Sequence, residues 1–291
     1  MNKTFLMLLG LLALYVPQVT AVGGGLGLYR YNSQGELEFL LVKDPTQRQS
    51  WRQGFEFPAG TIGDRGHRSV DGFDGKQIDK LSHQQRQNLS TVTFLKGAVR
   101  EALEELVYIP VRSMLAGRVY SSWGSINEKF SKKAIDVVSK EIIKQGVVCL
   151  SAVNQKSNYT IFFWNVTALG TQSWLTDIAL KRASLTSGLW FNRASSIGAE
   201  PDEFAWVNAQ DLINVIQDAR ATESNISRVK GQYCVCASEH IKQHKQLEKN
   251  KKIKLSPGFV GLISKSYNHD SYHCGYGQGS SMLAVINALS K

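Results

Sequence analysis

"GAVREALEELVYIP", residues 97–110, decides how this chain is read. Leu95, Ala98, Val99, Ala102, Leu103 and Leu106 recur at helical spacing. Thr93 can cap the start and Pro110 forbids continuation, so the pattern predicts a helix running toward Ile109. On that helix Glu101, Glu104 and Glu105 stand at i, i+3 and i+4, which projects three carboxylates from one face. Like charges at this spacing repel by about 0.2–0.5 kcal/mol per pair on an exposed helix, and by more once desolvated, so something positive must compensate. Arg100, four residues before Glu104, gives one answer, an ordinary solvated face with a salt bridge. A bound cation gives another.

Working outward, "AVGGGLGLYRYN" and "SQGELEFLLVKD" predict two strands around a turn at Ser33 to Gly35, and "WRQGFEFPAG" a third strand ended by Pro58 and Gly60. "GGGLG" lacks the lysine and helix that follow a phosphate loop, so its glycines indicate tight turning or strand crossing. Residues 64–90 change to Gly, Asp, Gln, His and Ser and read as an exposed insertion. After the helix, "SINEKFSKKAIDVVSKEIIKQG" predicts a second one, with Ser125 and Glu128 at capping-box spacing and Gly146 as its stop. "VVCLSAV" and "YTIFFWNV" predict a strand pair, "EFAWV" another strand, and "NAQDLINVIQDA" a helix capped by Asn208. Strands mixed with helices in this order indicate an α+β fold or a sandwich of helices on a mixed sheet.

The helix does not stand alone. "FEFPAGTIG" followed by "GAVREALEELVYIP" resembles the signature of the Nudix hydrolases, in which a glycine after an F-P-x turn leads into a helix reading R-E-U-x-E-E, with U aliphatic. Gly60 matches the opening glycine, and Arg100, Glu101, Ala102, Leu103, Glu104 and Glu105 match the helical core. "EPDEFAWVNAQDL" also fits the family's acidic loop, tryptophan-bearing strand and helix.

The resemblance implies a Nudix-like α/β/α sandwich with a mixed central sheet and a hydrolase that cleaves a diphosphate linkage in a nucleotide-like molecule with Mg2+ or Mn2+. It implies Glu104 and Glu105 as metal ligands, and Glu101 as a ligand or as the base that activates water. Arg100 would orient a glutamate, and the backbone carbonyl of Ala59 would complete the metal's shell. Glu200 is the implied fourth carboxylate, with Glu203 as its rival. Hard dications prefer such oxygen donors, and their charge would relieve the crowding of the glutamates. The same fold without turnover, binding nucleotide or RNA, is the alternative, and an exported interaction protein a third.

Two departures accompany the match. Gly60 and Arg100 are 40 positions apart, farther than the family's spacing, and the glutamate that should lie between them is Gly66 counted forward or Val92 counted back. The glycine that closes the family's helix is Val107.

The rest of the chain frames this centre. With 291 residues, 43% hydrophobic, it can bury one generous core or two modest ones, which excludes a disordered or fibrous protein. Its net charge of +10 favours anionic partners. Residues 1–21 have one lysine, an apolar run from Phe5 to Val16 and a small residue at Ala21, the layout of a signal peptide, so export is expected, with a cytoplasmic protein as the alternative. The run is too short for a stable membrane span. Residues 22–229 are then the hydrolase domain and 230–291 a basic C-terminal extension. Within that extension the lysines from Lys242 to Lys254 read as a solvated helix face or flexible arm, with RNA or an acidic surface as the functional alternative. Cys149, Cys234, Cys236 and Cys274 are too sparse for a disulfide framework, and C-x-C beside His240 and His244 is too short for usual zinc spacing.

Overall fold

β1 (Ala21–Tyr31) is the axis of the fold in the computed structural model, which describes residues 21–44, 50–61, 91–112, 114–115, 128–154, 157–186, 201–242, 245–266 and 281–291. Asn32 accepts from the amides of Gln34 and Glu36, and Gly35 takes a φ of 78°, so the chain reverses into β2 (Leu37–Lys43) with Tyr29 opposite Phe39. The lower half of β1 pairs instead with β3 (Ala59–Thr61), and its other edge runs parallel to β5 (Ser157–Asn165), which pairs in turn with β4 (Val148–Asn154). β6 (Glu203–Asn208), β7 (Cys234–Lys242) and β8 (Glu248–Lys254) complete a mixed sheet in the order β4-β5-β1-β2-β6-β7-β8, with β3 on β1.

Helices border the sheet. α1 (Thr91–Glu105), α2 (Glu128–Gln145) and α3 (Trp174–Thr186) share one buried cluster with Leu26, Leu28, Leu40, Phe162, Trp164, Phe204 and Trp206. α4 (Ala209–Thr222), α5 (Pro257–Ser264) and α6 (Met282–Leu289) share another with Phe39, Leu41, Phe163, Ala205 and Val207. The strand residues alternate between the two clusters, as period-2 side chains must when both faces of a sheet are covered. Among the described residues no helix is long and apolar enough to cross a membrane.

Several expectations are corrected. "WRQGFEFPAG" is not one strand: residues Ser50–Arg52 form a helical turn, Phe55 and Glu56 make single bridges to Leu255 and Val42, and β3 begins only after Pro58, which has no N–H to give a ladder. The glycines of β1 make no turn and instead lie within the strand, where they admit neighbours. A β-carbon on Gly27 would sit 2.5 Å from the Phe163 ring, and one on Gly24 would sit 3.1 Å from Ala98 Cβ.

The lysine run is neither helix nor arm. It is the hairpin β7–β8, whose lysines occupy the edge strand of the sheet. Edge lysines block pairing with another chain, so charge and strand structure are compatible there. Residues expected to form a separate C-terminal extension thus continue the same sheet across β6. Cys149 is disulfide-bonded, whereas Cys234 and Cys236 are free and exposed. Residues 1–20, the insertion at 64–90, His244 and Cys274 lie outside the described residues.

Candidate functional site

α1 meets the sheet where β1 has a glycine in place of a side chain. Gly24 faces Ala98 directly, and Gly60 of β3 pairs with Gly24 on β1, so the expected opening glycine of the motif sits one strand from the helix that carries the glutamates. Ala59, its neighbour, pairs with Gly25. α1 packs against both β1 and β3.

Along α1, Phe94, Leu95, Ala98, Val99, Ala102 and Leu103 are buried and fix the helix's rotation. Arg100 is buried too, with its side chain 1% exposed. A guanidinium removed from water needs hydrogen-bonded partners. Among the described residues, Nη2 donates to Glu101 Oε1 at 2.6 Å and Nη1 donates to Glu104 Oε2 at 3.1 Å. Glu104 is buried, and Glu101 and Glu105 are half-buried on the same face. The arginine therefore fixes two of the three carboxylates by shape as well as charge, because its planar fork tolerates few geometries.

The helix stops earlier than the sequence predicts. Its last turn closes with Tyr108 N–H to Leu103 O at 2.7 Å and Val107 N–H to Glu104 O at 3.1 Å, the paired bonds of a Schellman end. Val107, where the family's motif has glycine, adopts a φ of 46° and Tyr108 one of 57°. Left-handed backbone at a β-branched residue costs about 1–2 kcal/mol. Complete burial of the Val107 side chain returns about 1.5–3 kcal/mol, so packing outweighs strain. The helical turn Ile109–Val111 follows, with Pro110 inside it.

Other expected site residues are placed differently. Glu200 lies outside the described residues. Glu203 opens β6, and its carboxylate is held by Lys43 at 2.6 Å, His240 at 3.1 Å and Lys242 at 3.2 Å. The His240 hydrogen bond and the two lysines hold it well below the usual carboxylate range. Cys234 and Cys236 are exposed whereas His240 is buried, so these three do not gather. Among the described residues no three His, Cys, Asp or Glu side chains converge on one point at metal-binding geometry. Glu101 and Glu104 each pair with Arg100. The donor set on α1 is nonetheless all carboxylate oxygen, which suits Mg2+ or Mn2+ and not a thiophilic metal.

Two residues beside this region were not singled out from sequence. Glu56 is half-buried between Arg52, at 3.2 Å, and the hydroxyl of Ser256, at 3.1 Å. Burial pushes its carboxyl up, and Arg52 and Ser256 oppose that. Tyr159, on β5, lies close enough to Glu56, Glu105 and Glu101 for their charges to add to burial in holding its phenol well above the ordinary value. The only sequence signal for Tyr159 is the run of glycines on β1 opposite an aromatic strand.

No family model matches the chain, and no curated protein does. Among solved structures it is similar to a NUDIX hydrolase from Alicyclobacillus acidocaldarius at 14% identity, covering 69% of this chain and 84% of that one with a TM-score of 0.32. A superposition that loose does not establish a shared fold.

Proposed function

We propose that the chain is a Nudix-type pyrophosphohydrolase that cleaves a diphosphate linkage in a nucleoside diphosphate derivative with Mg2+ or Mn2+. The observation that carries this reading is Arg100 buried between Glu101 and Glu104 on a helix that also presents Glu105, beside the Ala59–Gly60 strand. A mixed sheet with helix clusters on both faces supports the α/β/α sandwich that the reading requires.

Glu104, Glu105, the Ala59 carbonyl and Glu200 would hold the dication, and Glu101 would bind it or take a proton from the attacking water. The dication supplies a more acidic water and neutralises charge on the leaving phosphate. Arg100 keeps Glu101 and Glu104 in place as the diphosphate enters, so less reorganisation is needed during reaction. The disulfide at Cys149 supports export to an oxidising compartment after removal of residues 1–21. The lysines of β8 support contact with RNA or an acidic surface, which a loss of binding on raising salt would test.

A second reading, a nucleotide-binding module without turnover, is supported by the ion pairs that Glu101 and Glu104 make with Arg100. Nucleotide or phosphate release from dinucleotides, sugar nucleotides and nucleoside triphosphates, with Mg2+ or Mn2+, separates the two. Turnover by the wild type that is lost in Glu105→Gln supports the hydrolase. Nucleotide binding without turnover supports the module.

A further inference from the structure

We propose that Cys234 and Cys236 form a two-coordinate site for a soft monovalent cation, Cu(I), on the outer face of the β7–β8 hairpin. The site uses none of the acids of α1 and does not depend on the hydrolase reading.

Strand geometry sets the two thiols side by side. β7 begins with exposed Cys234, buried Val235, exposed Cys236 and buried Ala237, so both cysteines project from one face while Val235 and Ala237 join the core beneath. Both thiols are free, although Cys149 of the same chain is disulfide-bonded. The spacing accounts for their being free. Positions two apart on a strand lie about 6.6 Å from each other with parallel side chains, whereas a disulfide needs β-carbons about 3.5–4.5 Å apart. An S–S bond between them would require the strand to bend. A metal ion asks for less: two metal–sulfur bonds of about 2.3 Å in line hold the sulfurs about 4.6 Å apart. The thiols reach that separation by turning toward each other.

The facing strand supplies the charge. Lys254 stands opposite Cys234 and Lys252 opposite Cys236, and both lysines are exposed. Ile253, between them, is buried opposite Val235, so the lysines share the cysteines' face, with facing β-carbons about 4.5–5.5 Å apart. Lys242 and Lys251 of the same hairpin are paired, with Glu203 at 3.2 Å and Glu248 at 2.8 Å. Among the described residues Lys252 and Lys254 make no ion pair. When two thiols bind Cu(I) each gives up its proton, and the bis-thiolate that results carries a negative charge. The two ammonium groups beside it offset that charge.

The number and kind of donors select the ion. Thiolates are soft ligands that suit Cu(I) and zinc. Zn2+ takes four ligands, and among the described residues no third His, Cys, Asp or Glu completes such a set. Asp211, beside the pair, accepts the backbone N–H of Cys236 at 3.3 Å. An ion content with two thiolates in line is the one that fits.

Anaerobic titration of Cu(I) into the full chain against a colorimetric Cu(I) chelator tests this, comparing wild type, Cys234→Ser, Cys236→Ser and the double variant Lys252→Gln, Lys254→Gln. Wild type should take up a single equivalent. Each serine variant loses a metal–sulfur bond and should weaken uptake at least about a hundredfold, with the thermal midpoint unchanged because both side chains are exposed. The lysine variant should bind about three- to tenfold more weakly, with the difference shrinking as salt is raised. After exposure of the apo chain to air, Cys234 and Cys236 should still react with an alkylating agent. No uptake by wild type, or uptake that survives either serine substitution, overturns the site. A disulfide between Cys234 and Cys236 in the air-exposed chain overturns the geometry on which it rests, and unchanged affinity in the lysine variant overturns the part given to Lys252 and Lys254.

Discussion

Two clusters of charge in this molecule contain buried or half-buried glutamates, and they are built on opposite rules. At the edge of β6, Glu203 meets Lys43 from β2 and His240 and Lys242 from β7, so each neighbouring strand supplies it a positive or hydrogen-bonding group. On α1, three carboxylates come from one and a half turns of a single helix, and the helix's own Arg100 is divided between two of them. The first arrangement explains itself as cross-strand stabilisation. The second crowds like charges where the helix does not need them, which is the arrangement expected of groups kept for a ligand. A strongly shifted carboxylate is therefore not by itself a functional signal here, because Glu203, held well below the ordinary carboxylate range, belongs to the structural cluster.

Substitution should separate the clusters. The largest effect is expected from Arg100→Met, which strands two carboxylates and should cost about 3–5 kcal/mol of stability by denaturant unfolding, with activity lost. A variant as stable as wild type would mean that the arginine is not what holds Glu101 and Glu104. Glu105→Gln should reduce kcat by about two to three orders of magnitude while leaving the melting temperature within a few degrees of wild type. Comparable activity would remove Glu105 from the chemistry.

Glu203→Gln should show the converse pattern. It should lose about 2–3 kcal/mol of stability and keep its turnover per folded molecule. The pH dependence follows from the sign of its shift. A carboxyl depressed in the folded state stabilises above its ordinary value of 4.5, and that contribution is lost as pH falls below it. Wild type should therefore lose stability on acidification through that range, and Glu203→Gln should show a flatter acid limb. Identical acid limbs would refute the assignment. The smallest effect belongs to Gly27→Ala, whose β-carbon meets Phe163 and should cost about 1–2 kcal/mol in thermal melts without altering metal affinity.

The strands β1, β2, β4, β5 and β6, the helices α1, α2 and α4, and the Asn208 cap were legible in the sequence because local pattern and burial agree there. The end of α1 was not. Val107 has no left-handed preference, and only its burial against the core makes that conformation tolerable. β7 and β8 were obscured because lysines fill the solvent side of an edge strand, so composition hid the alternation of Val235, Ala237 and Ile253. In the site, Arg100 and its glutamates were legible as neighbours on one helix. Tyr159 and Glu56 were not, because a parallel pairing across more than a hundred residues brings β5 beside β1, and Ser256 reaches Glu56 from still farther along the chain.

The most direct test is calorimetric titration of Mn2+ into the full chain with a nucleoside α,β-methylene diphosphate present, comparing wild type, Glu104→Gln and Glu203→Gln. Saturable uptake in wild type, weakened at least about tenfold in Glu104→Gln and unchanged in Glu203→Gln, is the expected result. Uptake that is absent from wild type, or equally strong in Glu104→Gln, would contradict the claim that the acids of α1 are gathered for a dication.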